Sequence, residues 1–263
     1  MYEELEVDKY RSKPPSLLYS LTELPRTLVE MGSLAVTFPA LASMPRGDGH
    51  SVMVLPGFMA GDESTIVLRR YLSGLGYNAL PWDLGRNTGK AEIIEETLIN
   101  RFKDLIDQYD GTISLIGQSL GGVYARELGR MFPAKVRQVI TLGSPFGMSD
   151  AGGTNPLVNK LFERLAGMSV EDMRERVDMS DTSVTPPVPV TAIYSKADGV
   201  VNWEGCREAD LDSQTQNIEV CGSHCGMAFN PSIYHIVADR LSQSSEDWQK
   251  YNRTPRGVFG VGF

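Results

Sequence analysis

The chain has 263 residues, 41% of them hydrophobic and 22% charged, with a net charge of −8. That length suits one α/β domain with a sizeable core and a decorating segment, and the acidic balance argues against nucleic acid and against an electrostatic grip on anionic membranes. No apolar run reaches the roughly 18 residues of a membrane span, and the start Met-Tyr-Glu-Glu is acidic, unlike a secretory signal, so a cytoplasmic location is expected unless a signal has already been removed.

Residues 1–50 carry apolar groups without strand alternation and are expected to form an N-terminal apolar helical arm. Ser16 to Glu30 reads as an amphipathic helix broken near Pro25, because proline lacks an N–H and clashes with the preceding turn. Leu34 to Leu41 reads as a second apolar piece. From His50 onward, strands and helices alternate. The expected strands are Ser51–Leu55, Tyr77–Leu80, Thr112–Ile116, Val136–Leu142, Val188–Tyr194 and Asn217–Val220; the expected helices between and after them are Ser64–Leu75, Ala91–Tyr109, Leu120–Phe132 and Pro231–Ser242. This alternation predicts an α/β fold over 51–243, a mostly parallel sheet with helices on both faces. Ligands in such sheets bind at the carboxyl ends of the strands.

The longest gap between expected strands runs over 143–187, before the penultimate strand. It contains a helical pattern at Asn155–Met168, with Leu157, Leu161 and Leu165 at i, i+4 and i+8, and a short piece at Val170–Met179. This segment is expected to be a helical lid or cap, the alternative being an inert surface insertion. The tail at 244–263 is polar and ends in Gly257-Val258-Phe259-Gly260-Val261-Gly262-Phe263, to which no role is assigned.

The stretch Ile113-Ser114-Leu115-Ile116-Gly117-Gln118-Ser119-Leu120-Gly121-Gly122 carries the chemistry. A buried strand runs into Gly-x-Ser-x-Gly and then into a helix beginning near Leu120. A serine on so sharp a turn has strained backbone angles and an exposed hydroxyl. The free N–H groups and positive end of the following helix point to where an oxyanion would form. Ser119 is therefore the candidate nucleophile.

A serine hydroxyl needs a base, and the chain has three histidines. His50 precedes the first strand, at the wrong end of the sheet, and His235 lies inside a helical run. His224 follows a strand in Cys221-Gly222-Ser223-His224-Cys225-Gly226 and is the candidate base. The base needs a carboxylate to fix its tautomer and stabilise the imidazolium. Asp198, in Ser195-Lys196-Ala197-Asp198-Gly199-Val200-Val201 on the loop before the last strand, is the candidate; Asp150 is its rival. The order Ser, Asp, His is that of α/β-hydrolases. The loop Pro56-Gly57-Phe58-Met59-Ala60-Gly61 after the first strand should complete an oxyanion hole, with backbone N–H groups at Phe58 and Leu120. One such donor is worth about 3 kcal/mol in the transition state. Met59, Gln118, Leu157 and Leu161 are expected to line the substrate pocket.

Cysteine is sparse: Cys206, Cys221 and Cys225, an odd count that excludes a fully paired framework. Three reduced thiols are expected, or one bridge from Cys206 to Cys221 or Cys225. Cys221-x-x-His224-Cys225 lacks a second ligand pair, so no structural metal is expected, and no cofactor.

Leu55-Pro56-Gly57-Phe58, Gly117-Gln118-Ser119-Leu120-Gly121, Ser195 to Val201 and Gly222-Ser223-His224 together resemble an α/β-hydrolase of the bacterial lipase and esterase type, over about residues 50–241. The resemblance implies Ser119 as nucleophile, His224 as base, Asp198 as acid, and Phe58 and Leu120 as oxyanion donors. Two positions depart from it: many relatives have His-Gly at Pro56-Gly57, and many lipases have Gly-His-Ser where this chain has Gly117-Gln118-Ser119. The expected function is a carboxylic ester hydrolase acting through an acyl-enzyme on apolar acyl or aromatic esters, of small molecules or lipids. Acyl transfer or amide hydrolysis on the same triad is an alternative, as is a catalytically silent binding protein. The apolar arm either packs on the core or walls the acyl pocket.

Overall fold

The computed structural model describes residues 13–147, 153–169, 172, 182–244 and 247–252. Six strands, β1 (Ser51–Leu55), β2 (Asn78–Leu80), β3 (Ile113–Gln118), β4 (Val136–Leu142), β5 (Val190–Tyr194) and β6 (Thr215–Glu219), form one parallel sheet in the order β2-β1-β3-β4-β5-β6. Among the described residues the α-helices are α1 (Leu17–Leu41), α2 (Asp62–Leu75), α3 (Leu98–Gln108), α4 (Leu120–Met131), α5 (Pro156–Ala166) and α6 (Pro231–Leu241). A π-helical stretch, Ile93–Thr97, leads into α3.

Alternation along the strands feeds two cores. Val52 and Val54 of β1, with Ile116, Ile140, Ile193 and Ile218, pack under α1, α2 and α6. Met53 and Leu55, with Leu115, Val139 and Val190, pack under α3 and α4. A parallel sheet covered on both faces needs near-continuous apolar strands, and every residue of β1 and β5 is buried. The order reverses at β1: β2 lies on one side and β3 on the other, and Leu55 pairs with Gly117. That reversal opens a crevice at the carboxyl ends of β1 and β3.

The N-terminal segment differs from expectation. α1 is one helix of 25 residues that runs through Pro25 and Pro39. A proline inside a helix costs about 3 kcal/mol; here Glu23, Arg26 and Thr27 on either side of Pro25 are each bonded to the body of the protein and hold the helix line. Its amphipathicity also faces the other way. The buried or half-buried stripe is Ser20, Glu23, Thr27, Glu30, Leu34 and Leu41, polar at its first four positions, while Leu17, Leu21, Leu24 and Leu28 face outward. The leucines of the arm therefore do not wall a pocket.

α4 also anchors the connection returning to β5. Arg126 and Glu208 form an ion pair with both side chains fully buried. Arg126 further donates to the carbonyls of Thr182, Ser183 and Val184 at 3.2, 3.3 and 3.0 Å, and its guanidinium lies over the Phe146 ring. Removing one partner strands the other charge in the interior. Arg126→Ala is expected to lose about 3–5 kcal/mol of stability, read as a lowered denaturant midpoint with an unchanged slope.

Candidate active site

Ser119 sits between the end of β3 and the start of α4 with φ 51° and ψ −123°. Left-handed φ is costly for a residue with a β-carbon, so the turn is held from both sides. The Ser119 N–H donates to the Leu142 carbonyl at 2.9 Å, and its own carbonyl accepts from the Gly122 N–H at 2.9 Å. The packing requires glycine at 121: a β-carbon there would sit 2.5 Å from the Leu55 carbonyl oxygen. Strand β1 and the first turn of α4 thus touch through bare backbone. Ser119 remains half-exposed.

The loop after β1 abuts this turn. A β-carbon on Gly57 would lie 3.3 Å from that of Ser119. Met59, with φ 64°, has its N–H committed to the Asn87 carbonyl at 2.7 Å, and the Ala60 N–H bonds the Gly57 carbonyl at 3.1 Å. Phe58 lies between Gly57 and Met59, both held by these bonds, and the N–H groups that open a helix have no carbonyl one turn back to bond.

Asp198 and His224 meet at the ends of β5 and β6. The Asp198 Oδ2 to His224 Nδ1 distance is 2.6 Å, and both residues are buried. Oδ1 of Asp198 accepts from the Val200 and Val201 N–H groups, each at 2.8 Å, so the carboxylate cannot rotate away. With Nδ1–H donated to Asp198, Nε2 is the nitrogen left to act as base. The Gln118 side chain donates to the His224 carbonyl at 3.1 Å, tying the His224 loop to the strand that leads into Ser119. Burial by itself pushes the His224 pKa down. The Asp198 carboxylate, through charge and hydrogen bond, and the Glu23 carboxylate outweigh it, and the pKa lies above the usual 6.5.

No family model matches the chain, and no curated protein matches it in sequence. Solved structures do. A monoacylglycerol lipase of Paleococcus ferrophilus is 16% identical, with a TM-score of 0.57 over 76% of this chain and 96% of that one. Aspergillus fumigatus lipase B is 15% identical, with a TM-score of 0.56 over 77% of this chain and 55% of that one. Alpha/beta hydrolase domain-containing protein 10 from mouse is 14% identical, with a TM-score of 0.52 over 74% of this chain and 88% of that one. The chain has the α/β-hydrolase fold.

Within this α/β-hydrolase fold, a hydrogen-bonded Asp-His-Ser set lies at the amino ends of the strands, away from Ser119. His50 Nε2 is 2.9 Å from Ser114 Oγ, and His50 Nδ1 is 2.5 Å from Asp48. Ser114 is a fully buried strand residue, with no approach for a substrate. Burial lowers the His50 pKa against the pull of Asp48. This set ties β3 to the turn before β1.

Two residues around the site were not singled out from sequence. Asn87 is fully buried, and its side chain donates to the Pro56 carbonyl at 3.0 Å, fixing the loop after β1. Glu23, on α1, accepts backbone N–H groups from both the Asp198 and the His224 loops. The repeat Ser20, Glu23, Thr27, Glu30 at alternating steps of three and four was its sequence signal, masked by the expected break at Pro25.

Of the expected pocket residues, Gln118 immediately precedes Ser119 and Met59 lies on the loop after β1, but Leu157 and Leu161 are 76% and 43% exposed on the outer side of α5. Phe162 and Ala166 are the buried residues of α5, and Phe162 is the large one. Its ring lies 5.3 Å from that of Phe58, in an apolar cluster with Ala91, Ala166, Leu120 and Met168. Asp150 and nearly all of the expected piece at 170–179 lie outside the described residues. Cys206, Cys221 and Cys225 are free thiols. Among the described residues no cluster of His, Cys, Asp and Glu could hold a metal ion, and no helix is long and apolar enough to cross a membrane.

Proposed function

We propose that this chain is a serine carboxylic ester hydrolase. Ser119 Oγ attacks the ester carbonyl as His224 Nε2 takes its proton. Asp198 stabilises the imidazolium, and the Phe58 and Leu120 N–H groups bind the oxyanion. The imidazolium then protonates the leaving alcohol. A water, deprotonated by His224, releases the acid and regenerates Ser119. The observation that carries this reading is the Asp198–His224 pair, at 2.6 Å, on the loop that Gln118 ties to the strained Ser119 turn.

The Phe58–Phe162 cluster beside the loop after β1 supports an apolar acyl or aromatic group as the substrate's acid half. The lipase names of two similar structures agree with that class. In this reading α5 and its flanks act as a lid, closed through Phe162. Phe162→Ala is expected to alter chain-length preference several-fold, whereas Leu157→Ala, on the exposed side, leaves it near wild type. A panel of p-nitrophenyl esters from acetate to decanoate measures both. An unaltered preference in Phe162→Ala would count against the lid and pocket role.

The same panel tests the function. Release of p-nitrophenol by the wild type and not by Ser119→Ala is the expected result; a wild type that releases none would make the site a binding site.

The His224 pKa sets the pH profile. Protonated imidazole cannot accept the Ser119 proton, and its folded pKa is raised. The rising limb of kcat/KM is therefore expected above about pH 6.5, the unperturbed value. A limb at or below that value would contradict the paired arrangement.

A further inference from the structure

We propose that Glu23 is a positioning residue for catalysis, its single carboxylate holding the Asp198 loop and the His224 loop in register. This rests on the assignment of Asp198 and His224 in the preceding subsection. Glu23 Oε1 accepts from the Gly199 N–H at 2.8 Å and from the His224 N–H at 3.1 Å. Oε2 accepts from the Cys225 N–H at 3.1 Å. One buried side chain on α1 thus bonds the residue after the acid, the base itself and the residue after the base. Hydrogen bonds to a carboxylate are about twice as strong as neutral ones.

The rest of the α1 stripe extends the same frame. Ser20 Oγ donates to the Gly199 carbonyl at 2.6 Å, and Arg26 donates to the Ala197 carbonyl at 2.7 Å and to Glu23 at 2.8 Å. Glu30 accepts from the Ser223 N–H and hydroxyl at 2.7 and 2.9 Å. The contact admits no side chain at 199, where a β-carbon would lie 2.5 Å from the Tyr19 carbonyl oxygen. β5 and β6 bring the two loops to the same sheet edge. The loops themselves are irregular, and α1 supplies the partners that a strand cannot.

The charged groups near His224 are Asp198 and Glu23, with Arg26 and Glu30 behind Glu23. Glu23→Gln keeps the shape and removes one negative charge. It is expected to lower kcat ten- to a hundredfold, as sub-ångström misplacement does, with KM unchanged, and to move the rising pH limb to lower pH. Glu23→Asp keeps the charge with a shorter reach; it is expected to lower kcat and leave the limb in place. Thermal melting and stoichiometric organophosphate labelling of Ser119 check that each variant is folded with its nucleophile intact. A Glu23→Gln enzyme with wild-type kcat, or with lowered kcat and an unmoved limb, overturns the positioning role. Activity retained in Ser119→Ala would instead overturn the function on which it rests.

The outward face of α1 carries a second, independent inference. Leu17, Leu21, Leu24, Leu28 and Met31 follow at alternating steps of four and three, with Phe38 seven further on, and the four leucines are 72%, 73%, 73% and 68% exposed. That spacing is the seam of a helix pair. The only charged residues of α1 are Glu23, Arg26 and Glu30, all bonded on the inward side. We infer that the face pairs with α1 of a second copy of this chain. An uncharged face meets its own copy without repulsion, whereas a chain of net charge −8 with no cation on that face has no electrostatic attraction to an anionic lipid surface. With Leu18 and Val36 on its flank, the face presents eight large apolar side chains, 41–81% exposed, and a contiguous apolar patch beyond a few hundred Å2 marks an interaction surface; each partner of a stable interface buries about 800 Å2.

Sedimentation velocity of the full chain across a concentration series, with and without neutral phosphatidylcholine vesicles, tests this. A dimer is expected for the wild type, weakened at least a hundredfold in Leu21→Glu/Leu28→Glu, with turnover of a soluble ester retained. A wild type that is monomeric throughout, one that binds vesicles as a monomer, or a dimer unaffected by the double substitution would overturn it.

Discussion

Ser119→Ala is expected to lose about a millionfold in kcat, His224→Ala about as much, and the double variant no more than either alone. Nucleophile and base act in one step, so removing either removes the step, and the residual rate comes from binding and the oxyanion hole. The expectation rests on where Ser119 sits. Ser119 alone among the candidate hydroxyls combines a left-handed turn, partial exposure and the start of a helix, whereas Ser114, also beside a histidine, is sealed inside β3. A serine-directed organophosphate should label Ser119 alone. Mass spectrometry of the labelled peptide decides it; label on another serine, or an additive loss in the double variant, would remove the basis of the mechanism.

Asp198→Asn is expected to lower kcat about ten-thousandfold with little change in stability or KM. An amide at 198 that keeps its oxygen on the loop turns its NH2 toward His224, where it cannot stabilise the imidazolium and favours the wrong tautomer. The Val200 and Val201 N–H groups bond Oδ1 of Asp198, and an asparagine oxygen can keep both, so the loop stays folded while the proton transfer fails. Asp150→Asn is the matched control and should retain turnover. Steady-state kinetics on one activated ester separates the two. A crippled Asp150→Asn beside an active Asp198→Asn would transfer the acid role.

The sequence by itself determined the sheet and the order in which the candidate site positions fall along it. Short apolar runs between turn residues fall on all six strands to within three residues at either end; the pattern is plainest in the four inner strands, because a strand buried on both faces is apolar nearly throughout, and weakest in the edge strand β6, which is polar at Thr215, Gln216, Asn217 and Glu219. Gly117-Gln118-Ser119-Leu120-Gly121 was equally legible, since the close contact of β1 with α4 leaves no room for a β-carbon and writes glycine into the chain. Three histidines made the search for a candidate base short.

Only the tertiary structure decided what faces what. The spacing of α1 reveals two faces, and the usual rule turns the leucines inward. Here the carboxylates go in, because the loops after β5 and β6 present N–H groups that lack strand partners and bind Glu23 and Glu30. The same bonds carry the helix past Pro25, which local propensity reads as a break. On α5 the periodic leucines pointed to an inward stripe, but Phe162 takes that place against Phe58. Periodicity records that a helix has an apolar side; which side is buried depends on the partner surface, and that surface is assembled from residues more than a hundred positions away.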